Sequence, residues 1–304
     1  MPSVIRVSGL RKQYGAVRAV DDVSFDVDGG EIFGLIGPNG AGKTTTLECI
    51  EGLRTPDAGT VAVLGLDPRR DAAALHERIG VQLQEAHLQK RITVLEAVDL
   101  WASLYRRPVD GARLLAQLGL HEKRRAWFMT LSGGQKQRLF IALAMIHDPD
   151  IVFLDELTTG LDPQARRAIW DLVGGIRERG KTVVLTTHLM EEAERLCDRV
   201  AVIDHGRVID IGTPKALVSR HCPERTVAIS TDDARTPDVL GACPSVRRVE
   251  RIDRAWLVHG EGDGLLDEVL ACITSHRVHV TDVHSRAATL EDVFLRLTGH
   301  AVRL

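Results

Sequence analysis

Three short stretches of this sequence carry residues that could do chemistry together. The first, Gly37-Pro38-Asn39-Gly40-Ala41-Gly42-Lys43-Thr44, has the spacing G-x-x-x-x-G-K-[ST] of a phosphate-binding loop. Glycines there let successive backbone N–H groups turn inward around a polyphosphate. Lys43 then places a point charge near the β and γ phosphates, and the Thr44 hydroxyl can ligate Mg²⁺. The second stretch, Asp150-Ile151-Val152-Phe153-Leu154-Asp155-Glu156, sets two adjacent carboxylates directly after four apolar residues. Asp155 suits Mg²⁺ coordination, and Glu156 suits orienting or deprotonating an attacking water. The third, Leu131-Ser132-Gly133-Gly134-Gln135, opens a helical pattern in which Ser132 and Gln135 fit an N-cap and N3 pair. By physics alone this turn reads equally as an anion site, favoured by free N–H groups and the helix dipole, or as a plain helix cap. Three single residues are weaker signals. His188 follows an apolar run but a lone histidine is more often structural, Tyr14 in a polar turn reads as a surface aromatic, and Gln84 reads as a solvated loop residue.

Such residues need a scaffold that brings strand ends together. The run Ile32-Phe33-Gly34-Leu35-Ile36 reads as a buried strand entering the phosphate loop, and Lys43 to Leu53 as a helix whose N-terminus faces the phosphates. Asp150 to Leu154 and Thr182 to Thr187 read as buried parallel strands, whose C-terminal ends are where α/β sheets place ligands. Ahead of the loop, Val23, Phe25 and Val27 alternate with Ser24, Asp26 and Asp28, the pattern of a half-buried antiparallel layer. Thr93-Val94-Leu95-Glu96 is a capping box that opens a helix through Tyr105, and a second helix follows over Gly111 to Leu118. Pro163 suits the first position of a helix that ends near Gly180, and His205-Gly206 sits in a hairpin between Val200–Ile203 and Val208–Ile211. The fold class is therefore α/β: a mostly parallel sheet core, an antiparallel β layer and a helical insertion at about 86–147, together making a domain over 1–221. From Pro223 the pattern changes to a small α+β domain over 222–304. Its strands are expected at Thr226–Ser230, Ala255–His259 and Arg277–Val283, and its helices at Gly264–Thr274 and Ala288–Leu297. No catalytic constellation is visible there.

Composition narrows the function. The chain has 304 residues, 44% of them hydrophobic, and a net charge of −3 with no block of like charge. A core is affordable and no electrostatic footprint for nucleic acid is visible, so no nucleic-acid partner is expected. No apolar run approaches the ~18 residues of a membrane span, and the N-terminus lacks a signal-peptide layout. Cys49, Cys197, Cys222, Cys243 and Cys272 show neither C-x-x-C nor Cys/His spacing, so five reduced thiols are expected, without disulfide or zinc site.

The order of these features resembles the ATP-binding cassette family of ATPases over about Val4 to Arg220, with LSGGQ the most specific element. The resemblance implies a P-loop NTPase cassette that binds ATP with Mg²⁺ and hydrolyses the nucleotide. It implies ATP contacts from Tyr14, stacked on adenine, and from Gly37, Pro38, Asn39, Gly40, Ala41, Gly42, Lys43, Thr44 and Thr45. Metal contacts would come from Thr44, Gln84 and Asp155, and catalysis from Glu156 as base, His188 at the γ-phosphate and Gln84 at the attacking water. Ser132, Gly133, Gly134 and Gln135 would reach ATP across a head-to-tail homodimer, with Asp162 at the dimer interface. Leu157 departs from the family's usual proline, and Ala126-Trp127-Phe128-Met129 is unusually apolar. Thr289-Leu290-Glu291-Asp292 through Gly299 is similar to the C-terminal end of bacterial exporter cassettes of the daunorubicin-resistance type. That likeness implies export of a drug, antibiotic, lipid or polysaccharide through a permease on a separate chain, at the cytoplasmic face of the cell membrane. The rival expectations are a soluble cassette ATPase without permease and an importer subunit.

Overall fold

The structure, a computed structural model, describes residues 2–83, 87–233, 235–252, 255–261 and 264–299. Strands β1 (Ser3–Tyr14) and β2 (Val17–Asp28) pair antiparallel, as the alternation of Val23, Phe25 and Val27 predicts, and all three of those side chains are buried. β3 (Ile32–Ile36) is buried throughout and leads through the phosphate loop into α1 (Lys43–Ile50). That helix stops three residues short of the expected Leu53, because Gly52 takes a left-handed φ of 78° and turns the chain. β4 (Ala58–Val63) returns beside β1 and completes an antiparallel sheet in the order β2-β1-β4. The short α2 (Ala72–His76), absent from the sequence reading, precedes β5 (Ile79–Gln82).

Three helices, α3 (Val94–Ala102), α4 (Gly111–Gln117) and α5 (Gly133–Met145), then intervene before β6 (Ile151–Asp155). The capping box predicted at Thr93 and Glu96 makes both of its bonds. α6 (Pro163–Glu178), β7 (Thr182–Thr187), α7 (Met190–Leu196) and the hairpin β8 (Arg199–Asp204) and β9 (Arg207–Gly212) finish the domain. The main sheet runs β5-β6-β7-β3-β8-β9 and is parallel except for the last pair. β3 lies between β7 and β8, so the phosphate loop leaves the sheet at its centre, beside the strand that ends before His188. Ile5, Val7, Phe25, Phe33, Leu47, Ile50 and Phe153 form one buried cluster that joins the antiparallel layer, α1 and the parallel sheet. Among the described residues no helix is long and apolar enough to cross a membrane.

A second compact unit spans Lys215–Leu304, and the first spans Met1–Pro214. The division falls at the first residue of α8 (Pro214–His221), ahead of the boundary expected between residues 221 and 222; Val218, Ser219 and Cys222 of that stretch line a cleft with Glu224, Arg225, Ala287 and Ala288. β10 (Glu224–Ser230), α9 (Thr236–Gly241), β11 (Val246–Ile252), β12 (Ala255–Glu261), α10 (Leu265–Ser275), β13 (Asp282–Arg286) and α11 (Leu290–Thr298) follow. Their sheet runs β11-β12-β10-β13 and buries Val227, Ile229, Val258, Leu265 and Val269. The strand expected at Arg277–Val283 begins only at Asp282, since Arg277 adopts a φ of 53° directly behind α10. Cys243 and Cys272 form a disulfide, which corrects the expectation of five free thiols. Their residues lie 29 apart in sequence, so only the packing of α9 beside α10 brings them to a Cα separation of 6.7 Å. Cys49, Cys197 and Cys222 are free.

Candidate functional site

The phosphate loop is shaped by two contacts that leave no room for a side chain. A Cβ on Gly37 would lie 2.1 Å from the Ile203 carbonyl, and one on Gly42 would lie 2.1 Å from the Ala19 carbonyl. Gly42 also carries a φ of 98°, which only glycine adopts without strain. Among the described residues no side chain caps the start of α1, which leaves its first N–H groups available to an anion held in the loop. Lys43 is buried there, and its Nζ donates to the carbonyls of Gly37 and Pro38 at 3.0 Å each. Burial lowers its pKa, while Glu156 and Asp155 oppose that shift. Thr44, next along the helix, donates from Oγ1 to Asp155 Oδ1 at 3.3 Å.

The acidic pair is placed by neighbouring strands. Asp155 ends β6 fully enclosed, and the Thr186 hydroxyl of β7 donates to the same Oδ1 that Thr44 contacts. Desolvation raises the Asp155 pKa, against hydrogen bonds from Thr186 and Thr44 that lower it. Glu156 turns out of the strand with a φ of 48°, and its N–H donates to Thr186 Oγ1 at 3.1 Å and to Thr186 O at 3.2 Å. One Glu156 oxygen, Oε1, then lies 3.9 Å from Lys43 Nζ and 3.5 Å from His188 Nδ1. The structure thus brings together Lys43, Thr44, Asp155, Glu156 and His188. Leu157, in place of the family's proline, is buried.

The remaining expected site residues lie elsewhere on the domain. Ser132 accepts from Gln135 N at 3.3 Å while Ser132 N donates to Gln135 Oε1 at 3.0 Å, so the cap at the start of α5 is fully made. Asp162 caps α6 by accepting from Ala165 N at 2.9 Å. Tyr14 stands at the end of β1, 40% exposed, with the Arg54 guanidinium 5.2 Å and the Lys12 ammonium 5.6 Å from its ring centre. Gln84 lies outside the described residues. Thr186, which holds both acids in place, was missed by sequence reasoning, because a threonine inside a buried run reads as part of the strand.

A family model described as ABC transporter matches residues 20–159. The Nod factor export ATP-binding protein I of Ralstonia nicotianae is 41% identical over 306 residues, covering 99% of this chain and 95% of the relative. Its namesake in Rhizobium johnstonii is 38% identical over 303 residues, covering 98% and 96%. The chain belongs to the ATP-binding cassette transporter family. The ATP-binding subunit of an ABC transporter matches its fold at TM-score 0.65 with 29% identity, over 72% of this chain and 93% of that one. A cassette solved as a post-hydrolysis dimer bound to ADP and phosphate matches at TM-score 0.61 with 28% identity, over 69% and 98%.

As an ABC cassette the protein is an ATPase that takes ATP with Mg²⁺ and works with a membrane permease. The chemistry of its residues fits that pair of ligands. The glycine cradle offers N–H groups to phosphate, and Thr44 with Asp155 offers oxygen donors, which a hard cation prefers. Bound there, Mg²⁺ would neutralise charge on the β and γ phosphates.

One buried acid of the cassette predicts a pH dependence. Glu51, just beyond the last turn of α1, is 1% exposed, and burial pushes its pKa from 4.5 up to about 8, helped by Asp155 and Glu48. Because the folded value lies above the unfolded one, stability is complete below about pH 4.5 and falls as the pH rises toward 8. At about 1.4 kcal/mol per pH unit, the loss is on the order of 4 kcal/mol. Urea unfolding between pH 5 and 8.5 should show this slope in the wild type and a flatter one in Glu51→Gln. Equal slopes would exclude a charge penalty at this site.

Proposed function

We propose that this chain is the ATP-hydrolysing subunit of a bacterial export transporter, acting as a homodimer at the cytoplasmic face of the membrane beneath a separately encoded permease. The carrying observation is the Glu156 carboxylate, which sits 3.5 Å from His188 and 3.9 Å from Lys43, beside the Asp155–Thr44 pair. In this reading Glu156 takes the proton of the attacking water, while Lys43 and His188 meet the γ-phosphate. Thr44, Asp155 and Gln84 hold Mg²⁺, and Gln84 also touches the water. Tyr14 stacks on adenine, and the loop from Gly37 to Thr45 wraps the phosphates. Ser132, Gly133, Gly134 and Gln135 of a second copy close the site, with Asp162 at the junction. Bond making is in line at phosphorus, so catalysis rests on positioning and charge stabilisation.

Support for export comes from near full-length relatives named for Nod factor export, 38–41% identical. The cargo falls within drugs, antibiotics, lipids or polysaccharides. Two measurements test the proposal. ATP turnover per subunit should rise with protein concentration; a flat profile would overturn the shared-site dimer. Membrane vesicles holding the cassette with the permease encoded beside it should accumulate cargo on ATP addition when inside-out. Accumulation only in right-side-out vesicles loaded with ATP would mark an importer instead.

A further inference from the structure

A deeply enclosed polar cluster outside the phosphate site is centred on Glu192 of α7. Glu192 is 2% exposed, Thr158 1% and Trp170 3%. The Thr158 hydroxyl donates to Glu192 Oε1 at 2.8 Å, and the Trp170 indole N–H donates to the same oxygen at 2.9 Å. A buried carboxyl is costly unless its oxygens are hydrogen-bonded, so this arrangement needs a reason beyond packing. Its connections supply one. Glu192 lies on the helix that begins two residues after His188, whereas Thr158 stands two residues beyond Glu156. The Thr158 carbonyl accepts from Leu161 N at 3.2 Å, closing the turn that ends at Asp162.

That turn also touches the third chemical stretch. A Cβ on Gly133 would meet Leu161 Cδ2 at 3.2 Å, and one on Gly134 would meet Ala165 Cβ at 3.0 Å. The segment running from Glu156 to Ala165 therefore has the hydrolytic carboxylate at one end and the start of α5 against the other. Thr158 is a buried residue of this segment whose hydroxyl bonds directly to α7.

We infer that Glu192 is a positioning residue: by accepting from Thr158 it fixes the 156–162 turn to the helix behind His188, so that Glu156, His188 and the Ser132–Gln135 turn keep one register. This inference rests on the roles proposed above for Glu156 and Ser132. Because both donors need only an oxygen acceptor, glutamine at 192 should serve nearly as well as glutamate. A role through net charge would not tolerate that replacement.

The test compares Glu192→Ala, Glu192→Gln and Thr158→Val in the full chain. Each is read by thermal melting, by affinity for a fluorescent ATP analogue and by ATP turnover per folded subunit. We expect turnover to fall at least ~10-fold in Glu192→Ala and Thr158→Val, with nucleotide affinity within ~3-fold of wild type, the split expected when positioning and not ground-state binding is lost. Glu192→Gln should restore turnover to within ~3-fold. Combining Thr158→Val with Glu192→Ala should cost no more than Glu192→Ala alone, since Glu192→Ala already removes the contact that Thr158→Val deletes. The same order should appear in ATP-driven dimerisation measured in a Glu156→Gln background, where hydrolysis does not reopen the dimer. Wild-type turnover and dimerisation in Glu192→Ala would overturn the inference, and so would a Glu192→Gln variant as impaired as Glu192→Ala. Full turnover in Glu156→Gln alone would instead refute the roles on which it rests.

Discussion

Replacing Glu156 with glutamine lowers ATP turnover by about 10²–10⁴-fold, or about 3–5 kcal/mol of barrier, while ATP remains bound. The local geometry isolates this effect to the chemistry. Glutamine has the size of glutamate, and the backbone N–H of residue 156 keeps its bonds to Thr186 because they involve no side-chain atom of that residue. Lys43 retains its two carbonyl acceptors in the loop, so the phosphate cradle is preserved. What disappears is an oxygen able to receive a proton 3.5 Å from His188. Turnover by single-cycle hydrolysis, with ATP affinity measured in parallel, checks the prediction. A variant that hydrolyses at close to the wild-type rate removes Glu156 from the role of base.

A second large loss is expected from Ser132→Arg, which should reduce turnover by more than ~100-fold, comparable to removing a group that stabilises transition-state charge. Two effects combine. The Ser132 hydroxyl accepts from Gln135 N, whereas Gln135 Oε1 accepts from the Ser132 backbone N–H, so the substitution removes the hydroxyl half of the cap that shapes the start of α5. Losing a cap costs only about 1 kcal/mol and does not unfold a domain. The larger effect is a long cation placed where the phosphates of the second copy's nucleotide would approach. ATP affinity of the dilute, monomeric variant should therefore match the wild type, since its own phosphate loop is untouched. Mixing the variant with an excess of Lys43→Ala chains should recover activity, because each such pair keeps one intact site. Activity of Ser132→Arg alone at the wild-type rate would remove this turn from the nucleotide site.

How much could be read from the sequence depended on how local the physical demand was. The phosphate loop was legible because its spacing demands glycine at fixed positions, and the collisions at Gly37 and Gly42 show why. The caps at Thr93, Ser132 and Thr289 were legible for the same reason, as each is closed within four residues. β11 was not, because Val246–Ile252 alternates poorly and carries three arginines and a glutamate across an edge strand. The disulfide was missed because nothing in the spacing of Cys243 and Cys272 announces it; two helices must pack first. Glu192 reads in the sequence as one of several acids on a polar helix, and only its burial against Thr158 and Trp170 sets it apart.

The hairpin joining β8 and β9 reaches back to the phosphate loop. Gly206 N donates to Ala41 O at 3.0 Å, Asp21 N donates to Gly206 O at 2.8 Å, and Arg207 grips Asp21 at 2.6 Å. Residues some 165 positions later in the chain therefore hold the loop in the shape that wraps a polyphosphate. During synthesis, a ribosome that has released the motif from Gly37 to Thr44 has not yet released its support, and such distant closures come late in folding. The shape of the phosphate loop is therefore completed by chain that is made long after the loop itself, and the last strands of the sheet set the geometry of its centre.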